Sequence, residues 1–389
     1  LDMTQNRNSY YIYTKNEEEL RKIAYTSIDK SWANYDNLNQ AIRANPTMPI
    51  YSDDAKFAKY GGYYESDNFY SWNPVSDIEQ TTNDAKNQVI MGSVRATLNI
   101  IDGLKFATFY SIQNTHDWNG KYQNSTLRDV YGKGGSASQS YSGYTQQVVE
   151  NTLQYVAQWD AHAFQAMIGQ GYQTETFQGF NAYNTGFPLD KLLYNNLGLG
   201  TGIVDGKGAS AYAGLGSYKY KDKLASFFAR VMYNYDQRYF LSASVRFEGS
   251  SKFGAKADPV LGQWGIFPSI SGSWSIIDEE FMEDVENLND LKIRLGYGVT
   301  GNMPGDHYLY AMKVGAGGDY IFSNGKFIQP WGPQSNVNET IRWEEKHEYN
   351  FGIDFGAFAN RFSGSLDAYF RNTTDLLYEY DVPVPPYPF

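Results

Sequence analysis

Six residues spell a pattern that elsewhere binds dinucleotides: Gly296-Tyr297-Gly298-Val299-Thr300-Gly301 reads G-x-G-x-x-G after a run patterned as a strand. That chemistry needs a helix directly after the glycines, whose first amides hold the pyrophosphate. Asn302-Met303-Pro304-Gly305 is a turn sequence leading to Tyr308-Leu309-Tyr310, so the glycines are read as shaping a strand end. His116, His162, His307 and His347 show no metal-ligand spacing such as H-E-x-x-H. Glu345 and His347 share a face if the segment is extended, and read as a solvated pair in preference to a ligand pair. Asp53-Asp54 and Glu279-Glu280 read as loop charges, not as a hydrolytic dyad. No Ser-His-Asp arrangement can be drawn. The chemistry expected is therefore binding, with no catalysis, metal or cofactor.

Aromatic side chains are the candidates for that binding, since flat rings stack on sugar faces and pack peptide side chains while Asn, Asp and Gln supply hydrogen bonds. Trp118, Tyr122, Tyr131, Tyr141 and Tyr144 populate the Gly-, Tyr- and Asn-rich stretch from Gln113 to Thr145; Phe187 and Tyr194 lie in a second, Glu175 to Lys221; Tyr320 and Trp331 lie in a third. The alternative for each ring is plain loop packing.

What would position these rings is a repeated hairpin grammar. Ala225, Phe227, Ala229, Val231, Tyr233 and Tyr235 share one face, and after Asp236-Gln237-Arg238 it resumes as Tyr239, Leu241, Ala243, Val245 and Phe247. Ser226, Arg230, Asn234, Ser242, Ser244, Arg246 and Glu248 fall on the other side of the same strands. The pattern recurs around Asp102-Gly103, around Asp160 and near Asn360, and again from Ile270 to Val299 around a longer acidic connection. Antiparallel pairs are expected over 89–112, 149–172, 225–248, 270–299 and 343–370, in about twelve strands overall. Connections alternate between a few residues and several dozen, the asymmetry of outer-membrane barrels. The short turns are expected on the periplasmic rim and the long loops outside. Polar-face positions include Arg95, Gln154, Gln158, Arg230, Arg246, Arg294, Asp354 and Asp367, which carry both signs of charge. Asn16 to Asp29 breaks the grammar: Asn16 with Glu19 resembles a capping box, and Leu20, Ile23, Ala24 and Ile28 form one helical stripe.

Composition narrows the class. Mean hydropathy is -0.53, and no apolar run approaches the length of a membrane helix. Aromatics nevertheless make up 17% of the chain, 34 of them Tyr. That suits a wall apolar on one face with aromatic girdles at its borders; a secreted β-sandwich or propeller also alternates and is the competing fold. A net charge of -11 disfavours nucleic acid, whose phosphates need a basic stripe. Cysteine is absent, so disulfides play no part.

Asn234-Tyr235-Asp236-Gln237-Arg238-Tyr239 with Arg246-Phe247-Glu248-Gly249-Ser250-Ser251-Lys252-Phe253-Gly254 resembles a segment of the SusC-like TonB-dependent outer-membrane transporters of Bacteroidota. Trp264-Gly265-Ile266-Phe267-Pro268-Ser269, Leu291-Lys292-Ile293-Arg294, Tyr297 to Asn302, Trp343-Glu344, Tyr349 to Phe355 and Thr373-Thr374-Asp375-Leu376-Leu377 follow in that family's order. Upstream, Ala44 to Tyr51 and Asn73-Pro74-Val75 look like its loop ahead of a strand pair.

The resemblance implies an all-β, transmembrane antiparallel barrel of about 22 strands with a plug in its lumen. It further implies import of oligosaccharides or peptides on energy relayed by TonB, beneath a SusD-like surface lipoprotein. The opening at Leu1-Asp2 and the proline-rich close at Val382 to Phe389 lead us to expect a piece of such a barrel, without its plug or its TonB-contacting segment. We expect residues 1–88 to form an extracellular loop region with a short helix, and 89–389 the barrel strands. A passive porin and a structural or adhesive outer-membrane barrel are the alternative functions.

Overall fold

The computed structural model describes residues 2–4, 41–42, 47–66, 72–202, 213–316, 320–321, 327–328 and 331–379. The helix expected over Asn16 to Asp29 lies outside them. The strands are β1 (Asp2–Thr4), β2 (Thr81–Ile101), β3 (Leu104–Gln123), β4 (Ser136–Trp159), β5 (His162–Thr185), β6 (Gly214–Tyr235), β7 (Tyr239–Ser250), β8 (Trp264–Ser275) and β9 (Leu288–Asn302). After β9 come the short β10 (Val314–Ala316), β11 (Tyr320–Ile321), β12 (Phe327–Ile328) and β13 (Trp331–Pro333), then β14 (Glu344–Ala357) and β15 (Phe362–Thr374). A helix, α1 (Pro74–Gln80), leads into β2.

One 11-stranded sheet runs in the order β1-β2-β3-β4-β5-β6-β7-β8-β9-β14-β15, and β10-β13 and β11-β12 form two small ribbons. Its edges, β1 and β15, do not pair with each other among the described residues. All five expected hairpins are present. β2 starts at Thr81, earlier than residue 89, because α1 leads straight into it. By contact density the chain forms two compact units: residues 1–92, 113–145 and 176–220, and residues 93–112, 146–175 and 221–389.

In the second unit, register carries one apolar stripe across six strands. Val231 lies opposite Ala243, which lies opposite Ile270; Ile270 faces Tyr297, Tyr297 faces Tyr349, and Tyr349 faces Phe370. The side chains of this set meet solvent: Phe227 is 53% exposed, Leu241 49%, Ile270 51% and Leu366 67%. A water-soluble sandwich would bury them against a second sheet. A face this wide and this apolar demands an apolar surrounding. Rows of rings border the stripe. At the turn end Tyr235, Tyr239 and Trp274 stack at 6.2 and 6.3 Å; at the other end Trp264 lies 4.6 Å from Phe247. Trp274 pairs with Tyr239 and Trp264 with Gly249, ten residues along β7. At about 3.4 Å per residue and a tilt of about 40°, that spans about 26 Å, the height of a barrel's apolar band.

Turn chemistry closes the hairpins. Gly103 sits at φ 79, and a Cβ there would strike the carbonyl of Val156. Asp236 and Gln237 both adopt φ 54. Two residues depart from the expected lipid-facing set. Val299 and Trp343 are buried with Phe253, Ala257 and Phe267. The β8–β9 ladder ends at Ser269 opposite Gly298, and past it Val299 follows this small core; Trp343 precedes β14 and donates its indole N–H to the Gln263 carbonyl at 3.2 Å.

In the first unit, Asn73 caps α1 by accepting from Val75 and Ser76 at 3.1 and 3.4 Å, with Pro74 in the first turn. Its Nδ2 donates to the Ile50 and Tyr64 carbonyls at 2.8 and 3.1 Å. Glu65, buried beneath, accepts from the Asn73 amide at 3.1 Å and pairs with Arg128 at 3.6 Å. Burial pushes its carboxyl above the ordinary range.

Val231 is central in the apolar stripe of β6, so Val231→Arg should cost about 2 to 4 kcal/mol. Urea unfolding in bilayers should register that loss, while Arg230→Val on the polar face should leave the midpoint unlowered.

Candidate functional site

The polar face of the second unit is built of small residues. Ser242 lies opposite Ser271, Ser271 opposite Gly296, and Gly296 opposite Asn350; alongside run Ser244, Ser269, Gly298 and Glu348. The Ser244 and Ser269 hydroxyls are 2.7 Å apart. These rows leave a concavity of about 660 Å³ lined by Gln158, Met232, Asn234, Phe240, Arg294 and Asn350. Charge on this face is compensated locally. Arg294 donates in a fork to Asp354, both bonds 2.8 Å, and lies 3.1 Å from Asp367. Gly352 makes room for that fork, since a Cβ there would come within 2.8 Å of the guanidinium carbon. Arg246 pairs with Glu248 at 2.7 Å and bonds Ser226 at 3.2 Å; Lys292 lies 4.7 Å over the Phe240 ring. The result is a wetted wall rich in hydrogen-bonding groups whose charges largely cancel.

The G-x-G-x-x-G run lies wholly inside β9, with no helix after it. Among the described residues no group of three or more His, Asp or Glu is arranged to hold a metal. His347 lies 3.7 Å from Glu345 and 3.1 Å from the Tyr297 hydroxyl.

The first unit holds most of the aromatic candidates. Four of the first unit's candidates expected in loops are on strands: Trp118 and Tyr122 on β3, Tyr141 and Tyr144 on β4. The strands outrun the alternating segments, so the β3–β4 loop is only 124–135. Where both faces of a strand are wet, alternation vanishes while the ladder continues. Tyr122, Phe187 and Tyr194 are buried in one cluster with Ala137, and Trp118 packs edge-on to Tyr194 at 5.4 Å. Along β3, Trp118 and Tyr122 keep the even parity of Phe106 and Tyr110; along β4, Tyr141 keeps the odd parity of Val149 and Tyr155. Tyr144 has the opposite parity and lies 4.9 Å from Phe177. Tyr131, 48% exposed, packs edge-on to Tyr60 at 5.5 Å. Trp331 is 70% exposed on β13, and Tyr320 lies on β11.

Asp190, which no sequence pattern marked, anchors the cluster. It accepts from the Tyr122 hydroxyl at 2.8 Å, the Ser125 amide at 2.8 Å and the Ser125 hydroxyl at 2.9 Å. The Tyr194 hydroxyl donates to Asp84, and that bond, with burial, pushes the phenol up to about 12. The sign follows: the bond contributes fully below the ordinary tyrosine value near 10 and is lost as pH rises through about 12. A second anchor, also unmarked in the sequence, lies in the second unit, where buried Asp222 meets His307 at 2.8 Å and Lys252 at 3.9 Å.

The family model described as "TonB dependent receptor-like, beta-barrel" matches residues 20–389. The chain belongs to this family. It is similar to the TonB-dependent receptor SusC of Bacteroides thetaiotaomicron, 27% identical over 383 residues that cover 88% of this chain and 34% of SusC. TonB-dependent receptor P39 of Formosa agariphila is 36% identical over 162 residues, 42% of this chain and 14% of P39. The structure of the RagAB peptide transporter superposes with a TM-score of 0.71 over 82% of this chain and 34% of that one, at 23% identity, a likeness of fold. This TonB-dependent receptor chain therefore spans about a third of the length of SusC.

Replacing Asp190 with Ala removes one acceptor from three donors and should weaken the local stability of the β5–β6 loop by roughly 2 to 4 kcal/mol. Amide exchange over 186–200 should rise accordingly, with exchange in β7 and β8 unchanged. Ring-labelled NMR should find Tyr194 titrating near 12, and nearer 10 in Asp84→Asn.

Proposed function

We propose that the chain forms part of the wall of an outer-membrane importer for oligosaccharides or peptides. The carrying observation is one sheet whose register keeps an exposed apolar stripe on one face and a charge-compensated Ser, Gly, Asn and Arg surface on the other. Such a sheet fits between lipid and an aqueous passage. Its polar face offers hydroxyls, amides and paired ions, which suits hydrated and mostly neutral cargo better than a selective ion path. The whole protein, on this reading, couples uptake to TonB and works beneath a SusD-like lipoprotein, as the family resemblance implies. It transports its cargo without transforming it.

Among the aromatic candidates, Tyr131, Tyr144 and Trp331 are the ones we assign to cargo contact. Tyr131 and Trp331 are exposed, and Tyr144 has the parity of the polar face. Trp118 and Tyr122 on β3 serve mainly to hold the β5–β6 loop through its Phe187 and Tyr194. The short turns at Asp102, Asp160, Asp236 and Asn360 are assigned to the periplasmic rim, and the longer connections to the cell surface.

In the intact gene, combined alanine replacement of Tyr131, Tyr144 and Trp331 should reduce uptake of the native nutrient several-fold, with the barrel still inserted by heat-modifiability on gels. Loss of TonB should abolish uptake. Uptake indifferent to TonB would favour a passive porin instead.

A further inference from the structure

We propose that Lys221 and Lys223 form a docking site for a lipid headgroup carrying two phosphates, at the long-loop border of the apolar stripe. The site rests on the membrane reading given above. β6 carries Ala225, Phe227, Ala229 and Val231 on the apolar face, and the odd positions that continue this face beyond the stripe are Lys223 and Lys221. Both lysines are exposed, while the intervening Asp222 is buried and Leu224 packs against the core around Phe253. Neither ammonium has an ion-pair partner among the described residues; nearby Lys252 is directed to Asp222 and Lys256 to Glu339.

Depth makes the pair a headgroup site. Ala225 lies opposite Gly249, which lies opposite Trp264, so Ala225 stands in the ladder row of the aromatic border, and Phe227 one step inside it stacks on Trp264 at 6.2 Å. Each two-residue step rises about 7 Å along a strand, or about 5 Å along the membrane normal at a tilt of about 40°. Lys223 and Lys221 therefore stand about 5 and 10 Å beyond the Ala225 row, one within and one just past a headgroup layer about 5 to 7 Å deep. Their flexible stems bring both ammoniums to phosphate level. From positions about 7 Å apart, two flexible four-carbon stems can diverge to place one ammonium on each of two phosphates of one headgroup.

The other border has the opposite character. Asp236, Asp278, Glu279, Glu280 and Glu283 crowd its turns, and Arg238 is already held by Asp236 at 2.5 Å and Glu279 at 3.2 Å. Around Arg238 acids thus outnumber cations, unlike the Lys221 and Lys223 border, which suits a membrane whose two leaflets differ in phosphate content.

The test uses the full-length protein, purified from outer membranes, stripped of lipid and titrated in micelles with bis-phosphorylated lipid A or with phosphatidylethanolamine, bound lipid being counted by native mass spectrometry. Each lysine near a charged surface contributes about fivefold, so Lys221→Gln with Lys223→Gln should weaken lipid A binding about 30-fold. Phosphatidylethanolamine binding and heat-modifiability should be unaltered, and Lys256→Gln should bind like the wild type. Equal lipid A affinity in the double variant, or equal affinity of the wild type for both lipids, would overturn the site. Recovery of the wild type outside the outer-membrane fraction would instead overturn the membrane reading beneath it.

Discussion

A β-ladder puts neighbouring residues on opposite faces, and every paired strand must keep the same phase. That constraint governs this molecule. A slip of one residue between β7 and β8 would carry Ile270 and Trp274 to the polar face and Ser269, Ser271 and Ser273 into the apolar stripe. The phase is held by features at the strand ends: tight turns with Gly103, Asp160, Asp236 and Gln237 at positive φ, and stacked rings bordering the stripe. The polar face adds its own lock, because Arg294 on β9 reaches Asp354 on β14 and Asp367 on β15 only in this register.

Much of this was legible in the sequence because it is periodic. The set from Ala225 to Phe247 reads directly as one face, and its exposure agrees with a surface that needs lipid. Polar-face charges such as Arg246, Arg294, Asp354 and Asp367 could be assigned by parity, although which would pair could not. Periodicity failed where it ceased to exist. Between Gln113 and Thr145 both faces are polar or aromatic, so continuing strands read as one long loop that takes in the rings of β3 and β4. Trp343 carries the residue type of a girdle but sits before its strand, where it caps a small core.

The anchors of the loops were illegible for a different reason. Asp190 acts on Tyr122 and Ser125, more than sixty positions away in the chain, and Asp222 meets His307 across a similar gap. Nothing local marks such an acid, since its role is created by the strands that bring its donors together. These contacts also explain how polar, glycine-rich connections are ordered without a large apolar core. An acid such as Asp190, which accepts from three donors, replaces hydrophobic area there.

The rows of serine and glycine on the polar face have an evolutionary consequence. Ser242, Ser271, Gly296 and Gly298 project into open space, and an added Cβ on Gly296 or Gly298 would meet only ordinary van der Waals neighbours. Enlarging or trimming side chains there alters the polar surface without touching Ala243, Ile270, Leu295 or Tyr297 behind them. The relief of one face and the apolar character of the other are in this sense separately heritable. On the importer reading proposed above, a lineage could re-size its passage by single substitutions on one face while selection holds the other fixed.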